Sequence, residues 1–299
     1  MNYLLHLLIY FEIFAIAALS LNLVVGYCGL FTLAHAGFFA LGGYVYAIAT
    51  LAFGLGFMPA LGSAILITAG ASLLVSVPAW RLKGDFFVIT SLAVQALLFA
   101  ILANWGNASA PLGSWSNMTN GVVGIAGIPR PNLFGLSVGS MHAFVVLATC
   151  LATLIALALW RLQNAPWGRV LVAMREDELA ARSLGKNTRV LKIQAFAISA
   201  AAAAVAGVLF AAYIGYIDPT AAALDQSILM LSMVLIGGAG NLRGPLLGAA
   251  FLVALPEILK ALDLPDAQAA PMRVAIFGLM LILFMHIRPQ GLLGKYRLD

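Results

Sequence analysis

Apolar residues run through this chain in blocks long enough to cross a bilayer, which takes roughly 17–25 residues as a helix. Tyr3–Val25 is the first block, interrupted by Glu12 and Asn22; Leu61–Trp80, Phe86–Ala103, Gly139–Trp160 and Ile193–Ile214 follow as continuous spans. Asp225–Ile236 and Gly244–Pro256 are shorter pieces joined by the glycine-rich segment 237–243, and Met272–Ile287 is the last span. Leu30–Phe57 is apolar too, but Gly37, Gly42, Gly43, Gly54 and Gly56 crowd it. Glycine admits close helix approach or a broken helix, so this stretch either crosses as an interrupted span or turns back inside the membrane. The pattern predicts an all-α polytopic membrane helical bundle of about 8–10 transmembrane helices with broken Gly-rich segments, forming one transmembrane domain over 1–299.

Two polar stretches interrupt the pattern. Residues 105–138 are rich in Gly, Asn, Ser and Pro and hold one basic residue, Arg130, whereas 161–192 hold seven of the sixteen Lys/Arg. Basic residues mark the cytosolic side of membrane proteins. With 161–192 and the C-terminus inside, 13 Lys/Arg are cytosolic, and only Arg130, Lys260 and Arg273 fall outside. The loop 105–138 is then periplasmic. A traversing Leu30–Phe57 gives nine crossings with the N-terminus outside; a re-entrant one gives eight with the N-terminus inside.

Within the charged stretch, Trp167-Gly168 leads into a helix-compatible run, Arg169–Leu184, that stops at Gly185. Val170, Leu171, Ala173, Met174, Ala180, Ala181 and Leu184 suit one apolar face, and Arg175, Glu176, Asp177, Glu178 and Arg182 supply the polar remainder. Three successive acids argue against a lipid-surface helix, which would be basic. They point to docking in a protein groove.

Composition removes other classes. Hydrophobic residues make up 63% and charged residues 9% of the chain, with a mean hydropathy of +1.02, outside the soluble globular range. The net charge of +5 calls for no nucleic acid, because basic residues beside spans are expected and no nucleic-acid motif accompanies them. Cys28 and Cys150 form no CxxC and read as small buried hydrophobes. No Lys or Arg precedes the first apolar run, which reads as a span and not a cleaved signal. His6, His35, His142 and His286 stand at no metal-ligand spacing with Cys, Asp or Glu, and HExxH and the phosphate-binding Gx4GK[ST] loop are missing. No catalytic residue, metal or cofactor is predicted, so any ATP chemistry must come from another subunit. An ion-coupled secondary transporter would carry ion-coordinating acids at mid-membrane; apart from Glu12, the acids here lie in loops or near span ends.

Candidate path residues are few. His35 is ionisable and sits in apolar surroundings, either lining a translocation path or packing as a neutral imidazole bonded to a neighbouring helix. Gln95, Thr90 and Ser91 raise the same question. Gly26, Gly29 and Gly37 recur as Gly237, Gly240 and Gly248 at an offset of 211, as in transporters built from related halves with the path between them, or by chance among 29 glycines. The candidate path set is Asn22, His35, Gly37, Gln95, Gly237 and Gly240.

Four motifs occur in order over nearly the whole chain: Leu21–Gly29 (LNLVVGYCG) with His35–Phe39 (HAGFF), Trp167–Arg169 with Arg175–Gly185 (REDELAARSLG), Gly237–Pro245 (GGAGNLRGP) and Arg288–Gly291 (RPQG). Together they resemble the M-type permease subunit of high-affinity branched-chain amino-acid ABC importers. The resemblance implies a cytosolic coupling helix, similar to the Glu-Ala-Ala-x-x-x-Gly loop of bacterial importers, carried by Arg169, Arg175, Glu176, Asp177, Glu178, Ala180, Ala181 and Gly185. Here Leu179 stands between Glu178 and the alanine pair. It also implies two cytosolic ABC ATPase subunits, a second homologous permease, a periplasmic substrate-binding protein and a place in the bacterial inner membrane. Sequence leaves open the same architecture importing urea, short amides, other amino acids or a sugar.

Overall fold

The computed structural model describes residues 2–82, 84–107, 109–133 and 136–260, together with 278–279, 282–283 and 291–293. Helix α1 (Asn2–Asn22) runs on through a π-turn at Leu23–Tyr27. After a non-helical stretch, α2 (His35–Leu51) follows. A third passage combines α3 (Phe57–Ala71) and α4 (Leu73–Ser76), and Pro78 opens a closing 3₁₀ turn, Pro78–Trp80. Helix α5 (Asp85–Asn104) leads to a loop containing the two-residue strands β1 (Ile125–Ala126), β2 (Asn132–Leu133) and β3 (Leu136–Ser137). Ser140 starts α6 (Met141–Asn164) by accepting from the Ala143 N–H, which satisfies one of the donors a helix start leaves open. Next come α7 (Pro166–Glu176), α8 (Glu178–Ser183), α9 (Thr188–Ile214), β4 (Tyr216–Ile217), α10 (Leu224–Gly237) and α11 (Arg243–Lys260). Strand β4 pairs antiparallel with β1, and β2 with β3.

Five of these passages are long and apolar enough to cross a membrane: Tyr3–Tyr27, Phe57–Ser76, Asp85–Asn104, Met141–Asn164 and Thr188–Ile214. The first and last are 78% buried, whereas the other three are only 22–33% buried. Helices α1 and α9 are therefore the centre of the bundle, and α3, α5 and α6 its rim. The expected spans match these helices to within a few residues. The Met272–Ile287 span lies outside the described residues except at 278–279 and 282–283.

Glycine sets the closest helix crossings. A Cβ on Gly207 of α9 would lie 1.8 Å from the Phe39 carbonyl oxygen of α2, and one on Gly248 of α11 would lie 1.8 Å from the Met233 carbonyl oxygen of α10. The next neighbours are Gly43 N and Gly237 N, four residues further on in each case. The recurrence visible in the packing thus relates the α2–α9 crossing to the α10–α11 crossing, which is not the 211-residue offset of the sequence. Gly26 and Gly240, which belong to different pairs of that offset, touch each other, with Gly240 N 2.5 Å from where a Gly26 Cβ would sit.

Contacts at the two ends of α2 decide between the two topologies. Gly29 packs on Arg175 of α7, and the Tyr46 hydroxyl donates to the Pro129 carbonyl in the 105–138 loop (3.4 Å). The stretch between them starts at the face carrying the charged insert and ends at the opposite face, so Leu30–Phe57 crosses. The start of α1 lies at that opposite face too, with His6 Nδ1 2.6 Å from the Tyr213 hydroxyl near the end of α9. The start of α1 thus shares a face with the 105–138 loop, opposite the charged insert.

Helices α6 and α9 extend into the charged stretch 161–192, leaving 165–187 as the connection between them. Two expectations need correction. The single helix expected over Arg169–Leu184 is two helices, broken at Asp177. Cys150 is exposed on the rim face of α6, whereas Cys28 is buried as expected.

Candidate functional site

Non-helical backbone at membrane depth survives only where protein or a water-filled cavity satisfies its polar groups. Residues 29–34 and the first turn of α2 meet that demand with side chains from other helices. The Leu33 N–H donates to Ser91 Oγ (2.9 Å), the Ala36 N–H to Ser227 Oγ (3.0 Å) and the Gly37 N–H to Gln95 Oε1 (2.9 Å). Gln95 Nε2 donates in turn to the Ala222 carbonyl. Helices α5 and α10 thereby cap α2 from outside the chain segment, in place of the local cap that Ala34 cannot offer. His35 is buried, with Nε2 2.8 Å from Ser20 Oγ. Ser20 Oγ donates to the Ala17 carbonyl (2.7 Å), which leaves the imidazole N–H to donate to Ser20. Ser199 Oγ donates to the Ser20 carbonyl (2.6 Å) and ties α9 to the same point.

Of the candidate path residues, His35, Gly37 and Gln95 thus converge at the start of α2, held by protein partners. Thr90 only bonds back to the Phe86 carbonyl of its own helix. Asn22, Gly237 and Gly240 belong to a second cluster at the face carrying the charged insert. Asn22 Oδ1 accepts from the Gly240 N–H (3.0 Å) and Nδ2 donates to the Asn241 carbonyl (2.8 Å). The Gly237 carbonyl accepts from the Leu293 N–H (3.0 Å). Motifs more than two hundred residues apart in sequence meet here.

The connection between α6 and α9 is an elbow. Pro166 takes the first position of α7, where its missing N–H costs nothing. Asp177 leaves the helical region (φ −150°, ψ 105°), and its carboxylate accepts from Leu179 N (2.8 Å) and Ala180 N (3.0 Å), so it ends α7 and caps α8. Gly185 closes α8 at φ +76°, a left-handed conformation suited to glycine, and the Lys186 N–H returns to the Ala181 carbonyl (3.1 Å).

Two ties fasten the elbow to the spans. Arg175 Nη1 donates to the Gly26 carbonyl at the π-turn of the first span (2.5 Å) while its guanidinium also holds Glu176. Its side chain crosses the face of Gly29 (φ +68°), where a Cβ would lie 2.6 Å from Arg175 Cγ. On the other side Glu178 binds Lys192 of α9 (3.1 Å) and Arg182 (2.6 Å), and Lys192 Nζ donates to the Ala79 carbonyl below α4 (3.0 Å). Burial works to raise the Glu178 carboxyl, but the hydrogen bond and charge of Lys192, with Thr188 and Arg182, outweigh it and hold the group down at about 2.

The expected docking residues therefore divide. Arg175, Glu178 and Ala181 turn inward, whereas Arg169, Glu176, Asp177, Ala180 and Gly185 face outward. Leu179 and Leu184 are 66% and 79% exposed on the same side. Leu179, which separates Glu178 from the alanine pair, is a projecting apolar knob. Sequence reading missed Lys192, Ser20 and Ser227. Lys192 carried a signal, an ionisable residue inside the apolar run Val190–Phe196; the two serines carried none.

A helical bundle with five helices long and apolar enough to cross a membrane, an interrupted, externally capped span and an elbow tied to one face defines a polytopic membrane protein. Residues 3–285 match the family model described as "Branched-chain amino acid transport system / permease component", and the chain belongs to that family. The high-affinity branched-chain amino acid transport system permease protein LivM of Escherichia coli (strain K12) is 34% identical, over 95% of this chain and 68% of its own. The probable branched-chain amino acid transport permease protein LivM of Methanocaldococcus jannaschii is 30% identical, over 97% of this chain and 92% of its own. The autoinducer 2 import system permease protein LsrC of Shigella flexneri is also 30% identical, over 67% of this chain and 60% of its own.

Proposed function

We propose that the chain is the M-type permease subunit of an ATP-driven importer, passing branched-chain or related hydrophobic amino acids across the inner membrane. A periplasmic binding protein delivers the substrate, two cytosolic ABC ATPases supply the energy, and a second homologous permease completes the path. The whole of 1–299 acts as one transmembrane domain without a nucleotide site of its own. The observation that carries this reading is the elbow: it presents Ala180, Leu179 and Leu184 outward and is tied inward to three different passages. Motion of an ATPase docked on α8 is transmitted through Arg175 to the first span, and through Glu178 and Lys192 to α9 and the end of α4. A packed bundle responds to such a push by shifting helices as bodies, which is how alternating access is produced.

LivM proteins that align over nearly the whole chain support the amino-acid substrate; the LsrC match, shorter on both chains, supports an autoinducer-type substrate less well. The test is uptake into vesicles containing the reconstituted complex and its binding protein. Leucine, isoleucine or valine should accumulate only with ATP at the ATPase side. Uptake driven by an ion gradient without ATP, or a binding protein that prefers urea, amides or sugars, overturns the assignment.

A further inference from the structure

At the periplasmic end of the rim, α2, α3 and α5 enclose a cavity of about 340 Å³ under the 105–119 segment of the loop. Leu41, Tyr44, Ile48 and Ala49 wall it from α2, Ser63 and Ile67 from α3, and Ile101 and Leu102 from α5, with Trp105, Met118 and Thr119 above. The wall turns no polar atom into the cavity; the Tyr44 hydroxyl is buried away from it, with no hydrogen-bond partner among the described residues. Ser63 Oγ is committed to the Ala60 carbonyl (2.8 Å), Thr119 Oγ1 to those of Leu102 (2.8 Å) and Trp105 (2.9 Å), and the Trp105 indole N–H to that of Trp115 (2.7 Å). A zwitterionic substrate would leave its ammonium and carboxylate without partners there, which the low-dielectric wall makes prohibitive. Water has no polar group to hold it either.

We propose that this cavity holds one acyl chain of an amphiphile from the outer leaflet of the membrane. The wall runs along α2 from Leu41 to Ala49, a rise of about 12 Å at 1.5 Å per residue, from mid-bundle to the rim. That is the direction and depth of an outer-leaflet chain. The mouth is flanked by large exposed apolar residues, Phe53, Leu55, Ile67 and Ile101, as a lipid-facing surface requires, and not by the small or polar residues that join membrane helices to each other. At the top, Trp105 and Trp115 meet edge to face, with Trp115 81% exposed, at the level where aromatic residues anchor a protein in the headgroup zone. Arg130 is the one basic residue of the 105–138 loop and does not line the cavity, so the chain and not the headgroup charge is recognised.

The test uses the assembled transporter in nanodiscs with a phospholipid, or separately a free fatty acid, carrying a photoactivatable diazirine on its acyl chain. Adducts should concentrate on Phe53, Ile67, Ile101 or Met118, several-fold above those on Leu154 and Leu157 of the exposed α6 face. They should drop several-fold in Ala49→Phe, which fills the cavity from its α2 wall at the rim end, and in Ile101→Trp, which fills it from the mouth and spares the core. Labelling by the phospholipid identifies a bilayer lipid as the source, and labelling by the fatty acid alone identifies a free acid. Equal labelling of the α6 face, adducts unaffected by Ile101→Trp, or cross-links from these positions to the second permease overturn the proposal.

Discussion

Lys192 is the residue on which the elbow most depends. It is 3% exposed, donates to the Ala79 carbonyl and pairs with Glu178, so its charge is compensated on both sides. Removing one partner of a buried pair strands the other. Glu178→Gln should cost about 3 kcal/mol, at the low end for such pairs because Lys192 keeps the Ala79 carbonyl. The measurable result is a complex that still binds its ATPases but hydrolyses ATP with little uptake; wild-type uptake per ATP would remove the tie from the mechanism. The pH dependence has a definite sign. Glu178 is held at about 2, below its ordinary value of 4.5, so its contribution is complete above about pH 4.5 and is lost only as pH falls towards 2. Uptake between pH 5 and 8, roughly the range above both values, should therefore show no step from this group, and a step in that range that disappears in Glu178→Gln would contradict the assignment. Glycine offers a second residue-scale contrast. Gly207→Ala drives a Cβ into the Phe39 carbonyl, which is backbone and cannot rotate away, and should cost more than about 3 kcal/mol, seen as loss of folded protein from the membrane. Gly62→Ala meets nothing within 4 Å and should leave expression unchanged.

At the scale of elements, the elbow shows what periodicity conceals. Arg169–Leu184 reads as one amphipathic helix because its apolar positions keep helical spacing across the break. The break itself rests on a single carboxylate turning back to two backbone N–H groups; within Glu176-Asp177-Glu178 only the shorter Asp suits an N-cap, a signal that the unbroken apolar spacing overrides. Asp177→Ala should remove about 1 kcal/mol of capping and let α7 and α8 merge. Leu179 and Leu184 would then be re-aimed, and ATPase association, measured by co-purification, should weaken even though neither leucine is changed; undiminished association would show that the bend is incidental. The spans were legible to within a few residues because twenty apolar residues in a row admit few alternatives. The cap of α2 was legible only in part. Gln95 and Ser91 stood out as polar residues in an apolar helix, but Ser227 and Ser20 could not, since serine is common in membrane helices and its partner lies far off in sequence. His35 drew attention for the cost of burying an ionisable group, and its neutral bond to Ser20 is how that cost is met.

For the whole molecule, the glycines of Leu30–Phe57 left the topology undecided, and the contacts of Gly29 with Arg175 and of Tyr46 with Pro129 decide it. The consequence is a start of α1 on the same side as the 105–138 loop, opposite the elbow. Charge agrees with geometry among the described residues, because the seven Lys/Arg of 161–192 lie on the elbow side and Arg130 of the 105–138 loop on the other. Single cysteines in a background lacking Cys28 and Cys150 check it directly. Leu4 is 70% exposed, and Ser116 and Ser183 are both exposed, so a cysteine at any of the three is reachable without unfolding. With a membrane-impermeant maleimide on intact spheroplasts, Leu4→Cys and Ser116→Cys should label at once, and Ser183→Cys only after permeabilisation. Labelling of Leu4→Cys in step with Ser183→Cys would put the start of α1 on the cytosolic face. The first span could not then run from the Tyr213 end of α9 down to Arg175, and the tie between the elbow and Gly26, with the coupling route built on it, would have to be abandoned.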